Sequence, residues 1–448
     1  MSMRDIALFD YDSLSADEKA ALLLRAEDDL SDYLAKVAPV IEAVRDEGDE
    51  AIARFIKQFD GADVAADKLL ATEEEFDAAF AALDDEFIEV LRYAADNIRR
   101  FHEQQKPQDI WWTEIRPGVT VGERATPLQS VALYSPRGKG SFPSVTLMTA
   151  IPAVVAGVKE PIILTPPGPN GEIDPATLVA ARLSGVEKVA RAGGPLAVAA
   201  AAFGTKSIPK CLKIEGPGSP WFVAAKKYLA DEIGSRLPAG PSEVVILADD
   251  SVPAKLAALD ILIEAEHGAD SSAFLVTWSE KLAHEARQLI PSFYDKMTAE
   301  RVDYASAVLA GPRGGIVLTK TKEQAFEFIN HYAPEHCQIL SQNAEDYLPH
   351  ITNASEILLG DYAAGSLANY MMGPNCVLPT SGAAHIHSPL GVMDFMKMSS
   401  VGKVSREGFA EMAPKTEIFA RYEGFDAHAN AVSDLRYEVM KDGSSETN

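Results

Sequence analysis

Cysteine is scarce in this chain: Cys211, Cys337 and Cys376 are the three in 448 residues. An odd number without CxxC spacing excludes a disulfide framework and makes a reducing cytoplasm the expected compartment. No run of about 18 uncharged apolar residues occurs, so no membrane span is expected. The opening MSMRDIALFDYDS has early acids and no apolar core, unlike a signal peptide. Lys and Arg number 41 against 66 Asp and Glu, a net charge of −25. That field repels nucleic acid and anionic membranes, so neither is an expected partner. HExxH, P-loop and GxSxG motifs are missing, as is a GxGxxG after the first strand. No low-complexity stretch or solenoid repeat is present.

What is present is material for a core. At 47% hydrophobic, the chain buries most of its apolar surface without staples and has the length of roughly two to four domains or subdomains. Residues 15–105 read as helices. EKAALLLRAEDDL, YLAKVAPVIEAVRDEG, DEAIARFIKQFDG and the segment Asp84–His102 carry apolar residues at three-four spacing, with acids at their starts. WWTEIRPGVTVGER reads as a short extended stretch. From Ser130, SVALY, PIILT, KVARA and CLKIE each lead into a helical segment, which predicts a parallel sheet covered on both faces. A second set starts at EVVILAD and runs through AFLVTW, GIVLT, CQIL and EILLG.

The expected fold is α/β: two doubly wound Rossmann-like parallel-sheet units, a helical N-terminal part and a small mixed C-terminal tail. The expected boundaries are 1–129 for the helical region, packing on the second sheet unit, and 130–242 for a first unit on the cofactor side. Residues 243–390 make the second unit, with the metal and catalytic residues. Residues 391–448 make the tail, whose end DGSSETN is expected to fray. Ligands of open parallel sheets bind beyond the carboxyl ends of the strands. GPGS after CLKIE, AGPSE before EVVILAD and GDY after EILLG are expected there.

Four groupings carry chemistry. Glu264, Glu266 and His267 in LIEAEHGAD close a predicted helix. Glu264 and His267, three apart, share a face and suit one metal ion, with Glu266 in support; the bland alternative is a solvated helix end with a histidine favoured by the dipole. Glu335–His336 in APEHCQIL sit between a helix-ending Pro334 and a strand, and suit a general-base pair or else a polar turn. Asp361 in LLGDYAAG stands at a strand's carboxyl end, within reach of metal or substrate, unless it caps a turn. Glu423 and His428 lie five apart and do not share a helical face. Together these are oxygen and nitrogen ligands with no thiolate, a set that suits a catalytic zinc better than a structural one.

These segments resemble the histidinol dehydrogenase family. LPAGPSEVVILADDSVPAKLAALDILIEAEHGADSSAFLVT is similar to the family's long signature block by block, and so are VALYSPRGKGSFPSVTLMTAIPAVVAGV, INHYAPEH and VLPTSGAA. GDEAIARFIKQFDG, DNIRRFHEQQ and EGFDAHANAV extend the resemblance towards both ends. It implies a homodimer with exchanged tails and one Zn2+ per subunit. The ligand positions fall on Glu264 (usually Gln in the family), His267, Asp361 and His428. It implies NAD-linked, four-electron oxidation of a primary alcohol through the aldehyde to the acid. His336 would take the proton at each hydride step, and Glu335 would activate the water that adds to the aldehyde.

By the same resemblance, substrate contacts fall on Ser242, His267, Asn375, Cys376 and Glu423, with Glu423 and His428 reaching the neighbour's site. Tyr134 keeps a cofactor contact, while Leu196 and Ser219 replace a Gln and an Asn. GDYAAGSLANYMMGPNCVLPT is longer than the family's GDY-to-VLPT stretch, which implies an insertion at Ser366–Met372 that reshapes the pocket wall. Cys376 replaces a substrate-contacting His, and His385 an Arg. These departures imply a paralogue acting on a small polar alcohol other than histidinol. The sulfopropanediol 3-dehydrogenase branch is one such case; histidinol itself, or a binding protein on the same fold, are the alternatives. No acidic or basic residue can be placed to decide NAD against NADP.

Overall fold

Runs of Val, Ile and Leu bounded by Gly, Pro and Asp become strands buried on both faces. The computed structural model describes residues 4–25, 30–137, 140–235 and 237–442. In chain order the strands are β1 (Leu8–Asp10), β2 (Ile110–Arg116), β3 (Val119–Pro127), β4 (Ser130–Tyr134), β5 (Glu160–Thr165), β6 (Lys188–Arg191) and β7 (Lys213–Glu215). They continue as β8 (Glu243–Ala248), β9 (Ser272–Thr277), β10 (Gly314–Leu318), β11 (His336–Leu340), β12 (Glu356–Leu359) and β13 (Met396–Val404). A four-stranded parallel sheet has the order β6-β5-β4-β7, and a six-stranded parallel sheet the order β1-β10-β9-β8-β11-β12. The order reverses between β4 and β7 in the first and between β8 and β11 in the second.

Alternation along each strand feeds two cores. Val244, Ile246 and Ala248 pack with Leu275 and Ile316 under the helices Ala254–Asp260, Glu280–Leu289 and Ala299–Leu309. Val245 and Leu247 pack with Phe274, Val317, Cys337 and Ile339 under the helix Lys322–Tyr332. There Phe274 meets the rings of Phe328 and Tyr332 edge-on at 5.6 Å each; each fully buried ring contributes roughly 1.5–3 kcal/mol. This is the doubly wound arrangement expected from the strand–helix rhythm.

The N-terminal helices depart from expectation. Val37, Ile41 and Val44 of Ser31–Glu47 and Ile52 and Ile56 of Asp49–Phe59 share one core with Ala132, Ile162, Leu164, Ala190 and Ile214. They therefore cover the first sheet, not the second. The reason is supply: on that face the first sheet has only Gly194–Phe203 and Pro220–Tyr228 of its own helices in this core. Asp85–Gln105 packs on Pro143–Ala156 over the other face. Only the first residues go to the second sheet, where β1 pairs with β10 and Tyr11 and Leu22 join the core.

The chain divides into two compact units, Met1–Lys106 with Leu128–Phe395, and Pro107–Pro127 with Met396–Asn448. The smaller unit thus takes the hairpin of residues 107–127 away from the expected helical region. It holds the antiparallel sheet β13-β3-β2 and the helices Arg406–Tyr422, Asp426–Asn430 and Asp434–Asp442. β2 is exposed along its length, including Trp111 and Trp112. Residues 443–448, expected to fray, lie outside the described residues.

Candidate active site

Three strands of the large sheet open with ionisable residues: Glu243 at β8, His336 (preceded by Glu335) at β11, and Glu356 at β12. In register His336 faces Val244 on one side and Glu356 on the other. The helix Leu262–Ala265 runs back from the carboxyl end, so Glu264 and His267 arrive at the same amino-end edge. This corrects the carboxyl-end expectation for the second unit. At that opposite end the switch point is plugged: Asp249 accepts bonds from Ser251 N at 2.9 Å, Ser341 Oγ at 2.7 Å and Tyr347 Oη at 2.9 Å.

Glu356 Oε2 lies 2.7 Å from His336 Nδ1, and His336 Nε2 lies 3.9 Å from Glu335 Oε1. Accepting the Nδ1 proton fixes the imidazole, so that Nε2 is the nitrogen that can exchange a proton with a substrate. Burial alone lowers the His336 pKa, but Glu264, Glu335 and Glu356 outweigh it and raise it to about 10. Burial, reinforced by Glu264 and Glu243, lifts Glu335 well above the usual carboxylate range despite His336 and a 2.9 Å bond from Glu243 N. Among the described residues, Glu243 Oε2 and Glu356 Oε1 are buried without a hydrogen-bond partner. Glu243 Oε1 meets Arg25 Nε at 3.1 Å and Ser381 N at 2.8 Å.

The expected metal ligands divide. Glu264 is buried, and its Oε2 lies 3.2 Å from His267 Nδ1. His267 Nδ1 is also 3.0 Å from the Ile263 carbonyl; donation there leaves Nε2 free to ligate. Asp361 is exposed, in the turn two residues beyond the carboxyl end of β12, a strand that runs about 10 Å from Glu356. The chain then turns back as the helix Gly365–Tyr370 and brings Asn369 Nδ2 to 2.9 Å from Glu264 Oε1. The segment read as an inserted pocket wall is this return helix, with Ala368 fully buried. Glu423 and His428 are exposed in the smaller unit. Among the described residues no three His, Cys, Asp or Glu side chains converge on one point as a metal cage. The donor chemistry at Glu264, His267 Nε2 and the free Asn369 Oδ1 nonetheless fits a zinc ion completed by a ligand from elsewhere.

The substrate positions also divide. Ser242 hydrogen-bonds Glu264, holding it in the site. Asn375 is buried, and both donors are used, on Met148 O at 2.6 Å and His102 Nε2 at 3.3 Å, so it braces the fold instead of offering a donor to a ligand. The Cys376 thiol donates to Ala368 O at 2.9 Å; burial first, then Glu356, Glu264 and Glu335, raises its pKa. His385 is exposed. The VLPTS and AGPSE stretches clamp each other: Thr380 Oγ1 accepts from Gly240 N at 2.8 Å, and Thr380 N donates to Pro238 O at 2.9 Å.

At the first sheet's switch point Tyr134 ends β4. Its ring stacks on Phe222 at 4.1 Å, its hydroxyl accepts from Gly194 N at 3.0 Å, and burial raises its pKa to about 12. Gly216 follows β7 at φ +140°, where an added Cβ would lie 2.3 Å from Tyr134 O. Backbone thus lines this crevice where a side chain would fill it. Ser219 begins the helix Pro220–Tyr228 without a side-chain cap; Pro220 has no N–H, and Phe222 N and Val223 N donate to Ser219 O at 2.9 and 3.0 Å. Leu196 is buried in the core, so its side chain packs the helix Gly194–Phe203 and does not line the crevice. Gly218 N donates to Ala239 O at 3.4 Å, and four residues later Glu243 opens β8. The carboxyl end of the first sheet therefore adjoins the amino end of the second.

Sequence reasoning missed Glu243, Glu356 and Asn369. Glu243 and Glu356 each head a strand of otherwise apolar residues, a signal that was legible. Asn369 needed the return helix to be known.

A family profile described as histidinol dehydrogenase matches residues 23–436. A "Histidinol dehydrogenase homolog" of Rhizobium meliloti is 54% identical over 99% of this chain and 97% of its own. A "Histidinol dehydrogenase" of Synechocystis is 44% identical over 91% of this chain and 94% of its own. The crystal structure of histidinol dehydrogenase from Elizabethkingia anophelis superposes with a TM-score of 0.91 at 33% identity, covering 98% of this chain and 100% of that one. With a profile matched over residues 23–436 and relatives of this identity and coverage, this chain belongs to the histidinol dehydrogenase family of oxidoreductases.

Proposed function

We propose that this protein oxidises a small polar primary alcohol, through the aldehyde, to the carboxylic acid, with NAD as hydride acceptor and one zinc ion per subunit. The observation that carries this reading is the buried line Glu356–His336–Glu335 beside Glu264. Glu356 holds Nδ1, so His336 accepts the hydroxyl proton of the alcohol, and later that of the aldehyde hydrate, at Nε2. Glu335 takes a proton from the water that adds to the aldehyde. A bound zinc would supply Lewis acidity at the substrate oxygen. Glu264, His267 Nε2 and Asn369 would hold it, Asn369 taking the place expected of Asp361. A carboxylate at 264 and a neutral amide at 369 would keep one negative charge in the set.

His428 would complete the ligands from a second copy. Ile418, Phe419, Tyr422, Val439 and Met440 are all more than 60% exposed in the tail, an apolar surface that suits a homodimer. At the pocket, Cys376 lacks the paired donor and acceptor of an imidazole, which favours a substrate whose distal group is not imidazole.

The test is NADH formation by metal-loaded protein across a panel of small alcohols, with histidinol as reference and with chelated protein as control. The best substrate should exceed histidinol in kcat/KM by at least about a hundredfold, roughly 2.7 kcal/mol. Histidinol as best substrate would overturn the substrate assignment. No turnover of any alcohol would overturn the whole reading.

A further inference from the structure

Asp60 ends the helix Asp49–Phe59 as its C-cap. Three features make this an unfavourable place for a carboxylate. It is half-buried, and burial alone raises its pKa to about 6, with no cation contributing. Its side chain has no hydrogen bond or ion pair to any described residue; the nearby Lys57 is paired with Asp63 at 3.3 Å. It also sits at the negative end of a helix, where the dipole disfavours a negative charge. Among the described residues no side chain compensates for any of the three.

Its surroundings are those of the cofactor crevice. The residues flanking Asp60, Ile56 and Ala62, share one buried cluster with Tyr134 and Leu164 at the carboxyl ends of β4 and β5; the Asp60 charge acts on the Tyr134 phenol, whose oxygen is 3.0 Å from Gly194 N. Tyr134 and Gly194 follow or end strands of the first sheet at their carboxyl ends, beside the switch point between β4 and β7. An open parallel sheet takes a dinucleotide there, and a lone carboxylate in such a crevice accepts hydrogen bonds from neighbouring ribose hydroxyls while repelling a phosphate on the same ribose.

We infer that Asp60 is the residue that selects NAD over NADP, by accepting hydrogen bonds from the ribose diol of the adenosine half. This rests on the NAD-linked reading given above. The charge costs stability in the free protein and is recovered on binding. The device is unlike the acid that follows a strand in most dinucleotide folds: here a helix from the N-terminal region delivers it across the sheet's face.

The experiment measures binding, not turnover. Kd values for NAD and for NADP are obtained by calorimetry on the full chain, for wild type, Asp60→Asn and Asp60→Ala, together with Tm of each free protein. A charge-assisted hydrogen bond of this kind is worth roughly 10- to 100-fold in affinity. Both variants should weaken NAD by at least about tenfold, shift the NAD-to-NADP preference by at least about tenfold towards NADP, and leave Tm unchanged or raised. An unchanged preference in both variants overturns the inference, and so does a lowered Tm, which would make Asp60 a structural residue. If wild type binds neither dinucleotide, the NAD reading itself fails, an outcome distinct from wild-type binding with insensitive variants.

Discussion

In the proposed mechanism Glu356 makes His336 a usable base, because the Nδ1 contact at 2.7 Å decides which nitrogen would face the substrate. Glu356→Gln offers that nitrogen an amide that can donate, which favours the wrong tautomer; kcat should fall by about 10²–10⁴-fold with the fold intact by circular dichroism. At the metal, Asn369→Ala should lower zinc affinity by about 10- to 100-fold, read by competition with a chromophoric chelator, whereas Asp361→Ala should leave it unchanged. The reverse pattern would restore Asp361 as the ligand. The raised pKa of His336 also has a pH signature in metal-free protein. Its stabilising contribution is fully present below the unfolded-state value near 6.5 and is lost as pH rises through about 10. Urea midpoints of wild type should therefore fall more steeply over that window than those of His336→Asn. At this scale Glu335, His336, Glu264 and His267 were legible because each stands in a short polar motif beside a predicted element. Glu356 showed in the sequence only as a charge heading an apolar strand, since its partnership with His336 depends on strand pairing, and Asp361 drew attention only because GDY resembles a motif.

Elements carry the second level of argument. The alternation of strand and helix from Ser130 onward was legible since buried parallel strands read as continuous apolar runs. β1 was missed because three residues are too few to show a period, and β13 because its nine residues are largely exposed and polar. The return helix Gly365–Tyr370 reads as an insertion in sequence because six residues give no helical periodicity, yet it is Asn369 on this helix, not Asp361, that reaches Glu264. The turn after β7 offers a sharper test of the crevice. Gly216→Ala would place a Cβ against Tyr134 O in a backbone region that side chains rarely adopt. It should cost roughly 1–3 kcal/mol by chemical denaturation and weaken NAD binding more than a distant substitution of equal cost.

At the scale of the whole molecule, the expected N-terminal packing failed because apolar helix faces do not say which of two apolar sheets they will cover. The exposed tail makes a prediction of its own. If His428 serves the neighbouring subunit, His428→Ala and His336→Ala are each inactive alone, while co-expressed they form mixed dimers with one intact site. Activity should return to about a quarter of wild type, since half the dimers are mixed and each has one good site in two. No recovery would place His428 in its own subunit's site, and a His428→Ala variant active by itself would place it outside any site. The junction where Gly218 meets Ala239 has a further consequence. On the function proposed above, one sheet would hold the electron carrier at its carboxyl end and the other the proton-handling groups at its amino end, so the two specificities would be written on separate scaffolds. Substitutions at Asp60 and at Cys376 should then act additively in kcat/KM, to within about 0.5 kcal/mol. A lineage of this architecture is free to change its alcohol without renegotiating its nucleotide.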